Sequence, residues 1–166
     1  MKKTPCMFIL LVMIISSCQQ KTKIAPVDLG AAKVAVTAFL DKYYSALNAR
    51  DASACLSLFT DDALLCGTDP GEFWNKTEAS KILTPMLADT SIKFNFNIDK
   101  REIRISRDGN SAIVVEQMIA KFISPKIPMR VDYHLVKNNE TWQIDYCSDN
   151  LIPYNEDLAK LNKALE

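Results

Sequence analysis

The sequence predicts an α+β domain in which helices come first and an antiparallel sheet follows. Two observations carry this. Apolar residues recur at spacings of three and four through most of the stretch up to about residue 88, and at every second position from Ile92 onward. The change of period comes late and once, with one short strand among the helices before it. That order gathers the helices on one face of the sheet instead of alternating them with its strands.

The elements follow in order. Residues 31–48 read as a helix, because Val36, Phe39, Leu40, Tyr43, Tyr44 and Leu47 make one side apolar. Asp51 is an N-cap for a second, short helix through Phe59. Residues 63–67 read as a short strand, and Thr68-Asp69-Pro70-Gly71 as a turn. Asn75 with Glu78 three residues on has the form of a capping box, so a third helix starts there. Its inner face is Ala79, Ile82, Leu83, Met86 and Leu87, and Pro85 is expected to end or kink it. Ile92, Phe94, Phe96 and Ile98 then alternate with polar residues, and the alternation resumes at Ile103 and Ile105 with an odd offset. A strand keeping both sets inward needs a bulge or break within residues 99–102. Asp108-Gly109-Asn110 is a hairpin turn. Residues 111–124, 129–137 and 141–147 read as long strands, the last two joined through Asn138-Asn139, and residues 155–165 as a short terminal helix or tail.

The amino terminus has a different character. Lys2 and Lys3 precede an uncharged apolar run over residues 5–15, too short to span a bilayer as a helix. Ile15-Ser16-Ser17-Cys18 resembles the bacterial lipobox. The resemblance implies removal of residues 1–17 as a signal peptide, lipidation of Cys18, and more than one acyl chain, which is what makes such an anchor stable. Residues 18–30 then form a lipid-anchored linker and residues 31–166 the folded domain. Gln19 stands where an Asp would resemble an inner-membrane retention signal, so the expected location is the cell envelope, with the outer membrane favoured on its periplasmic side.

Composition narrows the partners. Twenty basic residues balance twenty acidic ones, which leaves no basic footprint for nucleic acid. Beyond the signal and anchor, Cys55, Cys66 and Cys147 remain. They read as small buried hydrophobes, with at most one internal disulfide as the alternative. Their spacing matches no metal-ligand pattern, His134 is the only histidine, and no cofactor is expected.

Several segments resemble one family. Phe39-Leu40-Asp41 through Asp51, followed by residues 55–63, resembles the two-helix opening and acidic turn of the nuclear-transport-factor-two-like cone in its SnoaL-like, or polyketide-cyclase-like, branch. Residues 67–74 resemble the loop that enters its third helix, and Trp142-Gln143-Ile144 its closing strand. The match spans about residues 31–150. It implies a cystatin-like α+β cone, three N-terminal helices on a strongly curved antiparallel sheet, with a pocket between helices and concave face. The fold hosts isomerases, cyclases, dehydratases and silent binders alike, so it does not assign an activity. Some members carry a His late in the last strand, where this chain has Tyr146 and Ser148.

Within such a cone, an Asn138-Asn139 turn pairs Leu135 with Trp142, Tyr133 with Ile144 and Val131 with Tyr146. That apolar face turns inward. The pocket's polar tips are then Tyr43 or Tyr44, Tyr133, Tyr146, Ser148 and Asp69, with Trp74 as an aromatic anchor in the core or at the rim. Asp69 reads either as a buried acid/base group or as a turn residue capping local amides. On the opposite face Asp132, His134 and Asp145 form either an acid/base group or a solvated outer surface, which could also seat a second copy of the chain. Three functions fit: a lipoprotein binding a small apolar ligand or a protein partner, an isomerase-, cyclase- or hydrolase-type enzyme using a pocket Asp or His, or a dimeric module with a filled core. The absence of a recognisable nucleophile or phosphate loop favours the first.

Overall fold

The computed structural model describes residues 27–166. The signal, the lipobox with Cys18, and most of the linker lie outside the described residues. Among the described residues, no helix is long and apolar enough to cross a membrane.

Helix α1 spans Leu29–Asn48, with the Asp28 side chain accepting from Ala31 N at 3.0 Å as its cap. It buries Val36, Leu40, Tyr44 and Leu47 against the sheet, and Phe39 and Tyr43 pack beside them. Helix α2 (Ala52–Ser57) begins under an Asp51 cap, with Ala54 N donating to Asp51 Oδ1 at 2.8 Å. Strand β1 (Phe59–Cys66) starts four residues earlier than the sequence suggests, and a short β2 (Phe73–Asn75) folds back on it. Helix α3 (Lys76–Ala88) opens with both halves of the Asn75–Glu78 capping box in place. Pro85 does not end it. The helix runs three residues past it, and the Pro85 carbonyl accepts from Asp89 N at 3.1 Å.

Arg50 locks this end of the molecule. Its guanidinium donates to the carbonyls of Leu87 at 2.9 Å and Asp89 at 2.8 Å, and to that of Ile92, while lying 5.0 Å over the Phe94 ring. Residues 92–95 therefore run as a pinned connection, and the next strand begins only at Phe96.

The sheet continues with β3 (Phe96–Ile105), β4 (Ser111–Ala120), β5 (Met129–Asn138) and β6 (Thr141–Leu151). Its order is β2-β1-β6-β5-β4-β3. All neighbours are antiparallel except β1 and β6, which run parallel, so the sheet is mixed where an antiparallel one was expected. It does not close into a barrel; β2 and β3 are its edges. A turn of 3-10 helix (Asn155–Asp157) and α4 (Leu158–Ala164) finish the chain.

Three irregularities mark these strands, and two of them decide which side chains face the helices. The first is the anticipated bulge in β3. Ile98 pairs with Met118 and Lys100 with Gln117, so Asp99 is the extra residue, and Arg101, Ile103 and Ile105 turn inward after it. The second concerns the β5–β6 turn. It is Asn139-Glu140, both with positive φ (46° and 66°), and Asn138 pairs with Thr141. The register thus differs by two residues from the one expected from Asn138-Asn139. A two-residue shift leaves each side chain on its face, so Leu135 meets Ile144 on the same side.

The third irregularity was not foreseen. His134 pairs with Tyr146 but Leu135 with Ile144, which makes Asp145 a bulge in β6. Every later residue of β6 is thereby flipped: Cys147 and Asp149 face the helices, and Tyr146 and Ser148 face away. At Gly109, φ is +73°, the left-handed value its hairpin turn needs and glycine adopts without strain.

Candidate functional site

Between the helices and the inner face of the sheet lies a cavity of about 370 Å³. Leu83 and Met86 of α3 and Phe94, Phe96 and Phe122 wall one side, with Met118 and Val131 on the sheet. Gly67, Thr68, Glu72 and Trp74, from the β1–β2 hairpin, line it as well. The lining is thus mostly apolar, with a few polar groups converging on it, the form expected of a small-molecule site.

The rim hairpin is tightly made. Glu72 accepts from Asp69 N at 2.9 Å, and Gly67 N donates to the Glu72 carbonyl at 3.0 Å. A Cβ at Gly67 would come within 2.1 Å of Glu72 Oε2, so only glycine lets this carboxylate fold back over the hairpin. Asp69 itself is exposed and accepts from Gly71 N at 2.9 Å, which is the turn-capping role. It does not line the cavity.

One carboxyl does reach the cavity from the sheet. Asp149 is half-buried and lines the cavity wall. Burial, with the Glu72 carboxylate adding to it, pushes its pKa up to about 6. Tyr43, Tyr133 and Cys147 share the wall. Burial raises both tyrosines well above their ordinary range and raises the Cys147 thiol likewise, with Asp149 contributing to the thiol's shift. Cys66 is raised by burial and by Asp149, so neither thiol is a ready nucleophile. Cys55, Cys66 and Cys147 are all free.

A polar chain runs behind this wall into the core. Glu116 of β4 is completely buried. Arg101 Nε donates to Glu116 Oε1, Tyr44 Oη donates to Glu116 Oε2, and Tyr44 Oη is 2.9 Å from Tyr133 Oη. At the outer end Arg101 Nη1 donates to Asp41 Oδ1 at 2.9 Å. Burial acts against the Arg101 charge, but Asp41 and Glu116 outweigh it and raise its pKa. Tyr44 is raised far above the usual phenol range by burial and by the Glu116 charge. The chain exists because the Asp99 bulge turns Arg101 inward, opposite Glu116.

The residues singled out from sequence divide accordingly. Tyr43, Tyr44, Trp74 and Tyr133 line the cavity. Tyr146 and Ser148 do not, because the Asp145 bulge puts them on the outer face. Asp132 and His134 also lie there, remote from the cavity. His134 Nδ1 is 2.7 Å from Asp145 Oδ1, while Asp132 pairs with Ser148 and accepts from Asn150 Nδ2 at 3.2 Å. The two aspartates expected to face one another are therefore kept apart. Leu64, Tyr146, His134 and Ile113 form one row across this outer face, with Leu64 and Ile113 exposed. Asp149, Glu116 and Arg101 were not picked out. The available signal was Glu116, the one charge in the strand sequence 111–120; Arg101 lies in the charged run of residues 99–102 and Asp149 between Ser148 and Asn150, so neither stood out. Among the described residues no group of His, Cys, Asp and Glu is arranged to hold a metal.

Comparison with known proteins adds the relationships. Residues 36–148 match the model of a SnoaL-like domain. No curated protein matches the sequence. An NTF2-like protein of unknown function from Pseudomonas putida KT2440 superposes with a TM-score of 0.64 at 12% identity, covering 76% of this chain and 89% of that one. A domain of unknown function with a cystatin-like fold from Nostoc punctiforme gives 0.60 at 18% identity, covering 80% and 85%. A protein from Novosphingobium aromaticivorans, named provisionally as a scytalone dehydratase, gives 0.61 at 13% identity, covering 75% and 86%. At these identities the likeness is one of fold.

Proposed function

The chain belongs to the SnoaL-like domain family, and from that premise we propose that its cone binds a small, neutral, largely apolar molecule. The observation that carries this is the cavity of about 370 Å³, in which Asp149 is the carboxyl whose ionisation burial resists. A filled core would leave no such space. A charged ligand would meet mostly apolar side chains and two acidic ones, Asp149 and Glu72, so a neutral ligand suits the wall best. The test is native mass spectrometry of the protein purified gently from its own host. We expect a retained neutral mass that is absent from Leu83→Trp, which fills part of the cavity. A bare protein in both cases contradicts the reading.

A second reading is favoured by Asp149 specifically. A carboxyl with a pKa near 6 in an apolar cavity suits a general acid or base acting on the bound molecule. Asp149→Asn would then abolish turnover with binding kept. Retained turnover in that variant would leave binding alone.

We propose further that Cys18 carries the lipid and holds this binding domain to the cell envelope. Support comes from the lipobox-like residues 15–18 and the polar tether after them. Labelled palmitate should enter the wild-type protein and not Cys18→Ser; equal labelling of the two refutes the assignment.

A further inference from the structure

We propose that the polar chain behind the cavity fixes the hydrogen-bonding sense of its wall: Tyr133 Oη is presented as an acceptor, so the cone takes an apolar molecule that carries a hydroxyl or N–H in preference to one carrying only a carbonyl. This rests on the small-molecule reading above and names the ligand class of that site.

The argument is a count of protons. A guanidinium has donors only, and Arg101 Nε donates to Glu116 Oε1. Glu116 faces that guanidinium as an ion pair, and a carboxylate so paired accepts only. The Tyr44 hydroxyl at Oε2 must therefore be the donor. A phenol has one proton, so Tyr44 has none to give Tyr133. The 2.9 Å contact between the two hydroxyl oxygens is made by Tyr133 donating to Tyr44. The only proton of Tyr133 is thus directed into the wall. What remains on Tyr133 for a ligand is a lone pair, made more basic by a chain of bonds that ends on an anion.

Neighbouring groups support the assignment. Arg101 is held in place from outside by Asp41, so the guanidinium opposite Glu116 does not swing away. The Tyr133 ring packs against that of Tyr43 with centroids 6.3 Å apart, which fixes its orientation in the cavity wall.

The test compares 1-tetralol and 1-tetralone, which share a carbon skeleton and differ in having or lacking a proton to donate. Affinities are measured by titration calorimetry at pH 7.5. For the wild type we expect roughly five- to tenfold tighter binding of the alcohol, the size of one net hydrogen bond. Tyr44→Phe releases the Tyr133 proton to the cavity and should bring the ratio to about one or reverse it. Tyr133→Phe should also bring it to about one, and serves if Tyr44→Phe unfolds. A preference unchanged in either folded variant, or a wild type that prefers the ketone, overturns the polarity while leaving the cavity reading intact. Failure of both compounds to bind the wild type overturns the cavity reading and the polarity together.

Discussion

Arg101→Ala should destabilise the protein by roughly 3–5 kcal/mol, the range seen when one member of a buried ion pair is removed. Glu116 is fully buried and its partner Arg101 is nearly so, with 15% of its side chain exposed. Removing the guanidinium leaves a carboxylate in the core with Tyr44 as its remaining donor. The double variant Arg101→Met with Glu116→Leu should recover most of the loss, because the charge that needed compensation is gone and Tyr44 can donate to Tyr133 instead. Asp41→Asn should cost less than about 1 kcal/mol, since Asp41 is 63% exposed and its pair with Arg101 is largely a surface one. Urea denaturation of the four proteins measures this. Equal stability of wild type and Arg101→Ala would show that the ion pair does not hold the core.

Asp149→Asn should have the opposite sign. The folded protein holds the Asp149 proton up to a pH of about 6, against an ordinary value of 3.8. Between those two values the folded state binds more protons than the unfolded state, so stability falls as pH rises through the window. Below pH 4 the group is protonated in both states and the variant should match the wild type. Above pH 6 the wild type bears the full cost of a carboxylate in the cavity. At about 1.4 kcal/mol per pH unit, the variant should be more stable there by roughly 2–3 kcal/mol. Denaturation midpoints at pH 4 and pH 8 check the sign. A variant less stable than wild type at pH 8 would mean that Asp149 is held as an anion by a favourable contact.

The two predictions concern residues that were hard to read from the sequence, for different physical reasons. The helices were legible because each has a local signature: the three-and-four spacing of α1, the Asp51 cap and the Asn75–Glu78 box. The β3 bulge was legible too, since Ile98 and Ile103 differ in parity and both must face the core. Its consequence was missed. If parity changes at Asp99, Arg101 turns inward and needs a buried anion, and Glu116 among Val115, Gln117 and Met118 was available to supply it.

The β6 bulge left no comparable mark. Tyr146 and Cys147 are both acceptable inside, so the pattern around Asp145 fits either face. The bulge is visible only in the pairing, where β1 also breaks register between Phe59 and Leu64. This is why Tyr146 and Ser148 were expected in the cavity and Asp149 was not. The turn assignment failed harmlessly, because a two-residue shift preserves faces. Asp69 shows a further limit: an Asp before Pro-Gly reads equally as a turn residue and as an acid, and only its hydrogen bond to Gly71 N and its exposure decide.

The proposed function requires the cone to be a working cavity for a small apolar molecule. The most direct measurement is a crystal structure of the protein as purified from its own host, or soaked with the compound found by mass spectrometry. Electron density is expected for an organic molecule enclosed by Trp74, Leu83, Phe94 and Met118, with a polar atom within hydrogen-bonding distance of Asp149 or Tyr133. A cavity closed by its own side chains, or a bound molecule seated only on the outer face near Tyr146 and His134, would contradict it.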